Sequence, residues 1–217
     1  MHYLSNLFRA LDLNSARDLL IRLLAVVLCL TVHELCHGLA AYALGDPTAK
    51  RSHRLSLNPL RHIDWFGFAM LALAGFGWAK PVPVNPNYFK RPKQGMALTA
   101  LAGPASNFVL ALVLLLLWRP LRLVASGTWG TALLEFLVRC SIMSIGLGLF
   151  NLIPIPPLDG SKVLFSVLPN RQYNWLLRYE RYGMVVLWAL VALGIGSSYL
   201  SEAIYRIFQL FCRIAGV

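Results

Sequence analysis

Four stretches of the chain consist of apolar residues with few charges, and each is long enough to cross a membrane. They cover residues 20–44, 96–118, 131–153 and 184–204. Crossing the hydrocarbon core of a bilayer takes about 20 apolar residues in an α-helix, because each residue adds about 1.5 Å. The pattern therefore predicts an all-α polytopic membrane protein with about four to five transmembrane helices.

The region between the first two apolar stretches departs from this pattern. Residues 65–79 are apolar, but the stretch is short and contains three glycines, and prolines 81, 83, 86 and 92 follow it closely. Proline ends a helix, and a short apolar stretch is more often re-entrant than spanning. Extended backbone at membrane depth also needs protein or a cavity around it. We therefore expect a re-entrant or extended membrane loop around residues 65–93.

Composition and charge agree with a membrane protein. Of the 217 residues, 58% are hydrophobic and 13% are charged. Soluble domains average about 45–50% apolar residues and about 25% charged residues. The net charge of +11 comes from lysines and arginines that lie mostly in loops between apolar stretches. This distribution is typical of topology control and argues against a nucleic-acid partner.

No cleavable signal peptide, internal repeat or low-complexity linker is recognisable. We expect one integral-membrane domain over residues 1–217, with its core at 20–165 and an accessory C-terminal helix at 180–213. The cysteines show no framework spacing, so they are expected to be small buried apolar residues and not disulfides. They are Cys29, Cys36, Cys140 and Cys212.

The first apolar stretch contains three ionisable residues in the pattern H-E-x-x-H. His33 and His37 are four residues apart, so on a helix they share one face and can bind one metal ion. Glu34 is offset from that face and is placed to act on a water as general base. Unpartnered polar groups at membrane depth are expensive, which favours a metal site over a structural role.

Two histidines leave a tetrahedral site incomplete, so a third protein ligand is needed while the fourth position stays open. Asp159 is the outstanding candidate, since it follows an apolar stretch that prolines break. The alternative is a turn residue in a Leu-Asp-Gly loop. Weaker candidates for the third ligand are Glu202, Glu135 and Cys36. Imidazole and carboxylate ligands with an open position favour one zinc ion per chain over harder ions.

Topology limits how these ligands can meet. His33 and His37 lie in the C-terminal half of one span and Asp159 at the C-terminal end of another, so the two spans must run parallel. They do so if residues 65–79 are re-entrant. One side of the membrane then receives Lys50, Arg51, Arg54, Arg61, Lys80, Lys90, Arg91, Lys93, Lys162, Arg171, Arg178 and Arg181, and the other Arg9, Arg17, Arg22, Arg119, Arg122, Arg206 and Arg213. The more basic side is predicted to be cytoplasmic, with both termini outside.

Three separated motifs resemble the site-2 protease family of intramembrane zinc metalloproteases. They are HELCH (33–37), GPASN (103–107) and NLIPIPPLDG (151–160), in the family's order. GDPTAKRSHRLSLNPLRHID (45–64) and GWAKPVPVNP (77–86) resemble the short branch of this family, which has no PDZ domain. The resemblance implies that His33, His37 and Asp159 bind zinc and that Glu34 is the catalytic base.

The resemblance also suggests roles for two further regions. Asn107 matches a family asparagine that helps to position substrate or to stabilise the developing oxyanion. From the residues alone, it could equally join helices through its small neighbours in the GPASN motif. Pro81, Val82 and Pro83 lie in a segment whose extended edge could hold a substrate strand by main-chain hydrogen bonds.

The expected function is that of an intramembrane zinc endopeptidase. Its partners would be single-span membrane protein substrates and the lipid bilayer, in a bacterial or archaeal cell membrane, with the active site toward the cytoplasm. Two alternatives remain open. One is a membrane metal-binding protein or transporter, which would not need Glu34. The other is a pseudo-protease that binds transmembrane clients without cutting them.

Overall fold

The computed structural model describes residues 16–67, 79–169, 172, 182–187, 189–191 and 193–217. Its helices are α1 (Ala16–Ala43), α2 (Thr48–Arg51), α3 (Pro92–Val124), α4 (Gly127–Asn151), α5 (Asp159–Val167) and α6 (Ser197–Ala215). A short apolar helix, Tyr182–Val191, precedes α6, and 3₁₀ turns lie at Pro59–Arg61 and Pro86–Tyr88. Within the described residues, the β-type pairing is one isolated antiparallel bridge between Ile63 and Ala79.

Three of these helices are long and apolar enough to cross a membrane. Helices α1, α3 and α4 contain 28, 33 and 25 residues. At 1.5 Å per residue they extend over about 42, about 50 and about 38 Å, more than the roughly 30 Å of a hydrocarbon core. The prediction of an all-α polytopic membrane protein is confirmed.

The prediction of one span over residues 184–204 is wrong. Leu193–Gly196 form a turn, and Gly194 and Gly196 have φ angles of 67° and 84°. Glycine adopts this left-handed backbone readily because it has no Cβ, so the helix ends here and α6 begins at Ser197. Helix α6 then packs against α4 and α3, where it buries Phe208 and Ala215.

Helix α3 runs antiparallel to α1. His33 contacts Asn107, and His37, one turn later in α1, contacts Thr99. A later residue of α1 therefore contacts an earlier residue of α3. Small apolar residues continue the interface, with Ala25 and Cys29 of α1 packed near the middle of α3.

Helix α3 is also antiparallel to α4. Ser144 Oγ donates to the carbonyl of Asn107 over 2.8 Å, and Ser141 Oγ donates to the carbonyl of Ala111 over 3.2 Å. Because α3 opposes both neighbours, α1 and α4 run parallel to each other, as the ligand argument required. The C-terminal end of α1 and the N-terminal end of α3 therefore lie at one end of the bundle, together with the end of α4.

Two parts of the connection between α1 and α3 meet each other, one before and one after the residues that are not described. The chain is described up to Gly67 and again from Ala79, which bridges to Ile63, and Lys80 N–H donates to the carbonyl of His62 over 2.9 Å. Residues 68–78, most of the stretch expected to be re-entrant, lie outside the described residues. The re-entrant loop therefore stays a prediction.

The four cysteines are free thiols in the structure, and two of the four are buried as the sequence predicted. Cys29 and Cys140 are buried between α1 and α4 with their sulfur atoms 3.6 Å apart, well beyond the roughly 2.0 Å of a disulfide. Cys36 and Cys212 are partly exposed.

Candidate metal centre

The centre is built on the C-terminal half of α1. His33 and His37 are buried on one face of this helix, one turn apart, and their Nε2 atoms lie 3.0 Å from each other. The helical spacing alone explains this approach, since residues i and i+4 stack on one side of a helix.

Asp159 reaches the two histidines from a sharp bend after α4. That helix ends at Asn151, three prolines follow within the next six residues, and α5 restarts at Asp159. The bend is so tight that a Cβ on Gly160 would overlap the carbonyl of Leu152. As a result Asp159 Oδ2 lies 3.2 Å from His33 Nε2 and 3.1 Å from His37 Nε2.

These three atoms fit a zinc ion. Ligands about 2.0–2.1 Å from a tetrahedral zinc lie roughly 3.3 Å apart, close to the 3.0–3.2 Å separations between these nitrogen and oxygen atoms. Two imidazoles and one carboxylate are also the donor types that zinc prefers when a fourth position stays open. Among the described residues, His33, His37 and Asp159 are the one group of three that could hold a metal ion.

Two of these side chains are oriented by further bonds. His37 Nδ1–H donates to the carbonyl of Thr99 over 2.7 Å, which leaves the lone pair of Nε2 directed at the centre. Lys162 Nζ lies 3.4 Å from Asp159 Oδ1, the oxygen that faces away from the imidazoles. The ammonium group of Lys162 therefore interacts with Oδ1 of Asp159, and Oδ2 remains available to a metal ion.

Glu34 lies beside the centre but does not belong to the ligand group. It is buried at 9% exposure, and its Oε2 accepts a hydrogen bond from the main-chain N–H of Val82 over 2.8 Å. The other carboxylate oxygen has no hydrogen bond with the described residues. This arrangement suits a proton acceptor that is held in place by one oxygen.

The segment that carries Val82 is extended and anchored at both ends. At its start, Arg54 Nη2 donates to the carbonyl of Lys80 over 2.5 Å. At its end, Asp46 Oδ2 accepts from the N–H of Asn85 over 2.7 Å. The position of Val82 beside Glu34 is therefore fixed by residues from the loop that follows α1.

Asp46 and Arg54, which anchor this segment, are both buried. Burial alone would raise the pKa of the Asp46 carboxyl, but hydrogen bonds from Thr48 and Asn85 outweigh it and hold the pKa below its ordinary value. Burial lowers the pKa of the Arg54 guanidinium, while the nearby Glu34 carboxylate acts in the opposite direction and favours the charge.

A cavity of about 310 Å³ opens at the centre. It is lined by His33, Glu34, His37, Pro81, Val82, Val84, Met96, Thr99, Ala100, Asn151, Pro157, Asp159 and Lys162. The predicted substrate-binding residues Pro81 and Val82 are thus at the cavity. Pro83 is not among the residues that line it, whereas Val84 is.

The structure places the weaker ligand candidates elsewhere. Glu135 pairs with Arg17 at 2.9 Å and, four residues along α4, with Arg139 at 2.5 Å. Glu202 pairs with Arg206 at 2.6 Å on an exposed face of α6. Neither these carboxylates nor the Cys36 thiol belongs to the group around His33.

Asn107 is completely buried against the centre. Its Nδ2 lies 3.1 Å from Nδ1 of His33, and its Oδ1 has no hydrogen-bond partner among the described residues. The amide therefore joins α3 to α1 through the side chain of a predicted ligand. Its predicted role toward substrate or oxyanion stays a prediction.

Gly103 is a functional position that the sequence did not single out. A Cβ here would overlap the ring of His37 and would lie 2.7 Å from Cε1 of His33. The two imidazoles fit against α3 only because this residue has no side chain. The motif G-P-A-S-N contained the signal, since a glycine inside a helix costs about 1 kcal/mol and needs a packing reason.

Comparison with known proteins identifies the family. The model of peptidase family M50 matches residues 21–121 and 117–194. The chain is 38% identical over 177 residues to "Putative zinc metalloprotease YwhC" of Bacillus subtilis, covering 80% of this chain and 81% of that protein.

Two further relatives are also named as zinc metalloproteases. The chain is 30% identical over 194 residues to "Putative zinc metalloprotease Rip2" of Mycobacterium tuberculosis, covering 85% and 71% of the two chains. It is 32% identical over 87 residues to "Zinc metalloprotease MJ0392" of Methanocaldococcus jannaschii, covering 40% and 24%. No solved structure shows a significant match. The motif resemblance is thereby confirmed: the chain belongs to peptidase family M50, the site-2 protease family, and is a zinc metalloprotease of the membrane.

Proposed function

We propose that this metalloprotease hydrolyses peptide bonds within or next to the transmembrane segments of single-span membrane proteins. The observation that carries the proposal is the depth of the centre in α1. His37 and His33 precede the end of the helix at Ala43 by six and ten residues, which corresponds to about 9 and about 15 Å. With Ala43 at the membrane surface, both histidines would lie inside a hydrocarbon core about 30 Å thick.

In this proposal His33, His37 and Asp159 hold the zinc ion. The chemistry that zinc supplies when bound is polarisation of the scissile carbonyl and a lower pKa for a water molecule. Glu34 accepts the proton of the attacking water and later delivers it to the leaving amine. The hydrogen bond from Val82 holds one oxygen of Glu34, so the other is available for this transfer.

The cavity supports an extended substrate. A transmembrane helix has its peptide groups hydrogen-bonded internally, so a stretch around the cut must unwind before it can react. Pro81, Val82 and Val84 form an extended wall of the cavity beside Glu34. An unwound strand can pair with such a wall. Substrates with glycine, proline or asparagine near the cut are therefore favoured, since these residues weaken a helix.

We further propose that the centre opens toward the cytoplasm of a bacterial or archaeal cell. The lysines and arginines support this orientation, because the side that contains the ends of α1 and α4 has more of them.

The decisive experiment compares peptide termini in membranes that contain the wild-type protein or Glu34→Gln. New termini inside transmembrane segments are expected with the wild type and should vanish in Glu34→Gln, while the zinc content stays unchanged. Glu202→Gln is the matched control, because it removes an exposed carboxylate paired with Arg206, and it should behave as the wild type.

Two results would contradict the proposal. Cleavage restricted to soluble domains would leave a zinc protease without intramembrane action. Identical termini in wild type and Glu34→Gln, with both proteins folded and zinc-loaded, would favour the metal-binding or transport alternative, which does not need Glu34.

A further inference from the structure

The inference concerns the partner of the His33 ring. Asn107 Nδ2 lies 3.1 Å from His33 Nδ1, and the amide is completely buried. Asn107 Oδ1 is also buried but has no hydrogen-bond partner among the described residues. Buried polar side-chain atoms are nearly always hydrogen-bonded, so an unpartnered oxygen beside a predicted zinc ligand calls for a physical reason.

Zinc binding determines which ring nitrogen of a histidine carries the proton. A neutral imidazole that binds a metal through Nε2 has its hydrogen on Nδ1 and needs an acceptor there. His37 meets this requirement, because its Nδ1–H donates to the carbonyl of Thr99. Among the described residues, His33 has the side chain of Asn107 at the same place.

The orientation of the Asn107 amide in the structure fits the other tautomer of His33, the one with its proton on Nε2. Its Nδ2 donates to Nδ1 of His33, so the ring proton is on Nε2, from where it donates to Asp159 Oδ2 over 3.2 Å. If the proton were on Nδ1, two donors would face each other. A rotation of the amide by 180° brings Oδ1 to Nδ1–H and gives the unpartnered oxygen its bond.

We propose that Asn107 is a positioning residue that sets the tautomer of His33 and changes between donor and acceptor as zinc binds. The imidazole would keep one proton in both states: with a metal held at Nε2, the proton of Nε2 would pass to solvent and Nδ1 would take one from solvent. The main chain of Asn107 stays fixed, because its carbonyl accepts from Ser144 of α4. The rotation therefore needs no movement of α3.

This inference rests on zinc as the cofactor and is independent of where the substrate is cut. It also differs from a role in stabilising an oxyanion, which would require Asn107 for turnover but not for metal affinity. Partners of zinc-binding histidines contribute roughly 10–100-fold to metal affinity. Metal affinity is therefore the quantity that separates the two roles.

The test measures zinc dissociation constants by chelator competition for three variants in detergent. Asn107→Leu has similar size without hydrogen bonds and should bind zinc roughly 10–100-fold more weakly. Asn107→Asp provides only acceptors and should bind within about threefold of the wild type, or more tightly. Thr31→Val is the control, because it removes a buried hydroxyl that bonds within α1, to the carbonyl of Val27, and its affinity should not change.

A second measurement on the wild type does not depend on any variant folding. Nitrogen-15 spectra of histidine-labelled protein should show His33 protonated at Nδ1 with zinc and at Nε2 without it. Unchanged zinc affinity in Asn107→Leu, equal weakening in Asn107→Asp, or a His33 ring protonated at Nε2 in the zinc-loaded protein would each overturn the proposal. Loss of proteolysis with unchanged zinc affinity would assign Asn107 to the substrate instead.

Discussion

The main-chain N–H of Val82 donates to Oε2 of Glu34 over 2.8 Å, so the predicted general base is held by the wall of the substrate cavity. The two residues are 48 positions apart in the chain. Their contact joins the chemistry on α1 to the extended segment that is placed to receive substrate. Movement of this segment would therefore change the position of the base.

Replacing Val82 by proline tests this link, because proline lacks the N–H but fits extended backbone. A hydrogen bond to a charged group contributes about 1.5–3 kcal/mol, so kcat should fall by a factor of roughly 10–150. Zinc content should remain at one ion per chain. Val82→Ala keeps the N–H and is the control; an equal loss of kcat in both variants would mean that side-chain packing, and not the hydrogen bond, is responsible.

Gly103→Ala should abolish zinc binding without unfolding the helix bundle. The added methyl group would overlap the His37 ring and displace His33, whereas alanine itself favours helix by about 1 kcal/mol. The measurement is zinc per chain by mass spectrometry together with helix content by circular dichroism. Gly146→Ala in α4 is the control, because its Cβ would meet only the end of the Ile204 side chain at 3.3 Å. Full zinc occupancy in Gly103→Ala would contradict the packing described here.

The carboxylate of Asp46 should make the anchoring of residues 79–85 dependent on pH. Its folded pKa lies below the unfolded value of about 3.9. The stabilisation is therefore fully present above the unfolded pKa and is lost as the pH falls through the folded pKa. Asp46→Asn should lower the free energy of unfolding at neutral pH by about 1–3 kcal/mol. The measurement is denaturation in detergent between neutral pH and pH 3, and a wild-type profile as flat as that of the variant would contradict the assignment.

The orientation in the membrane can be tested with two exposed positions at opposite ends of the bundle. Leu57 lies beyond the end of α1 with 72% exposure, and Trp129 lies at the start of α4 with 89%. A membrane-impermeant maleimide should label Trp129→Cys on intact cells, but Leu57→Cys only after permeabilisation. The wild type, with its own four cysteines, gives the background. The reverse labelling would place the centre outside the cytoplasm.

The site residues that were predicted from the sequence are those whose positions can be inferred from spacing along the chain. Helical periodicity places His33 and His37 together, and the prolines after α4 single out Asp159 as an acidic residue at the end of a span. The parallel arrangement of α1 and α4 followed from the need for these ligands to meet. The break at Gly194 and Gly196 was missed because apolar residues on both sides concealed it.

The supporting contacts could not be predicted in the same way. The acceptor for His37 is a main-chain carbonyl, that of Thr99, and every residue type has one. Asp46 and Arg54 also bind main-chain groups of a segment distant in sequence. Such contacts depend on how close two backbones come after packing, and neither periodicity nor motif spacing contains that information.

The separation of the ligands along the chain has a consequence for biosynthesis. Asp159 follows His33 by 126 residues, and α3 and α4 must insert between them before the three side chains can meet. A nascent chain emerging from the ribosome therefore holds two histidines without their carboxylate partner. The three ligands can therefore meet only after α4 and the bend that carries Asp159 have been made.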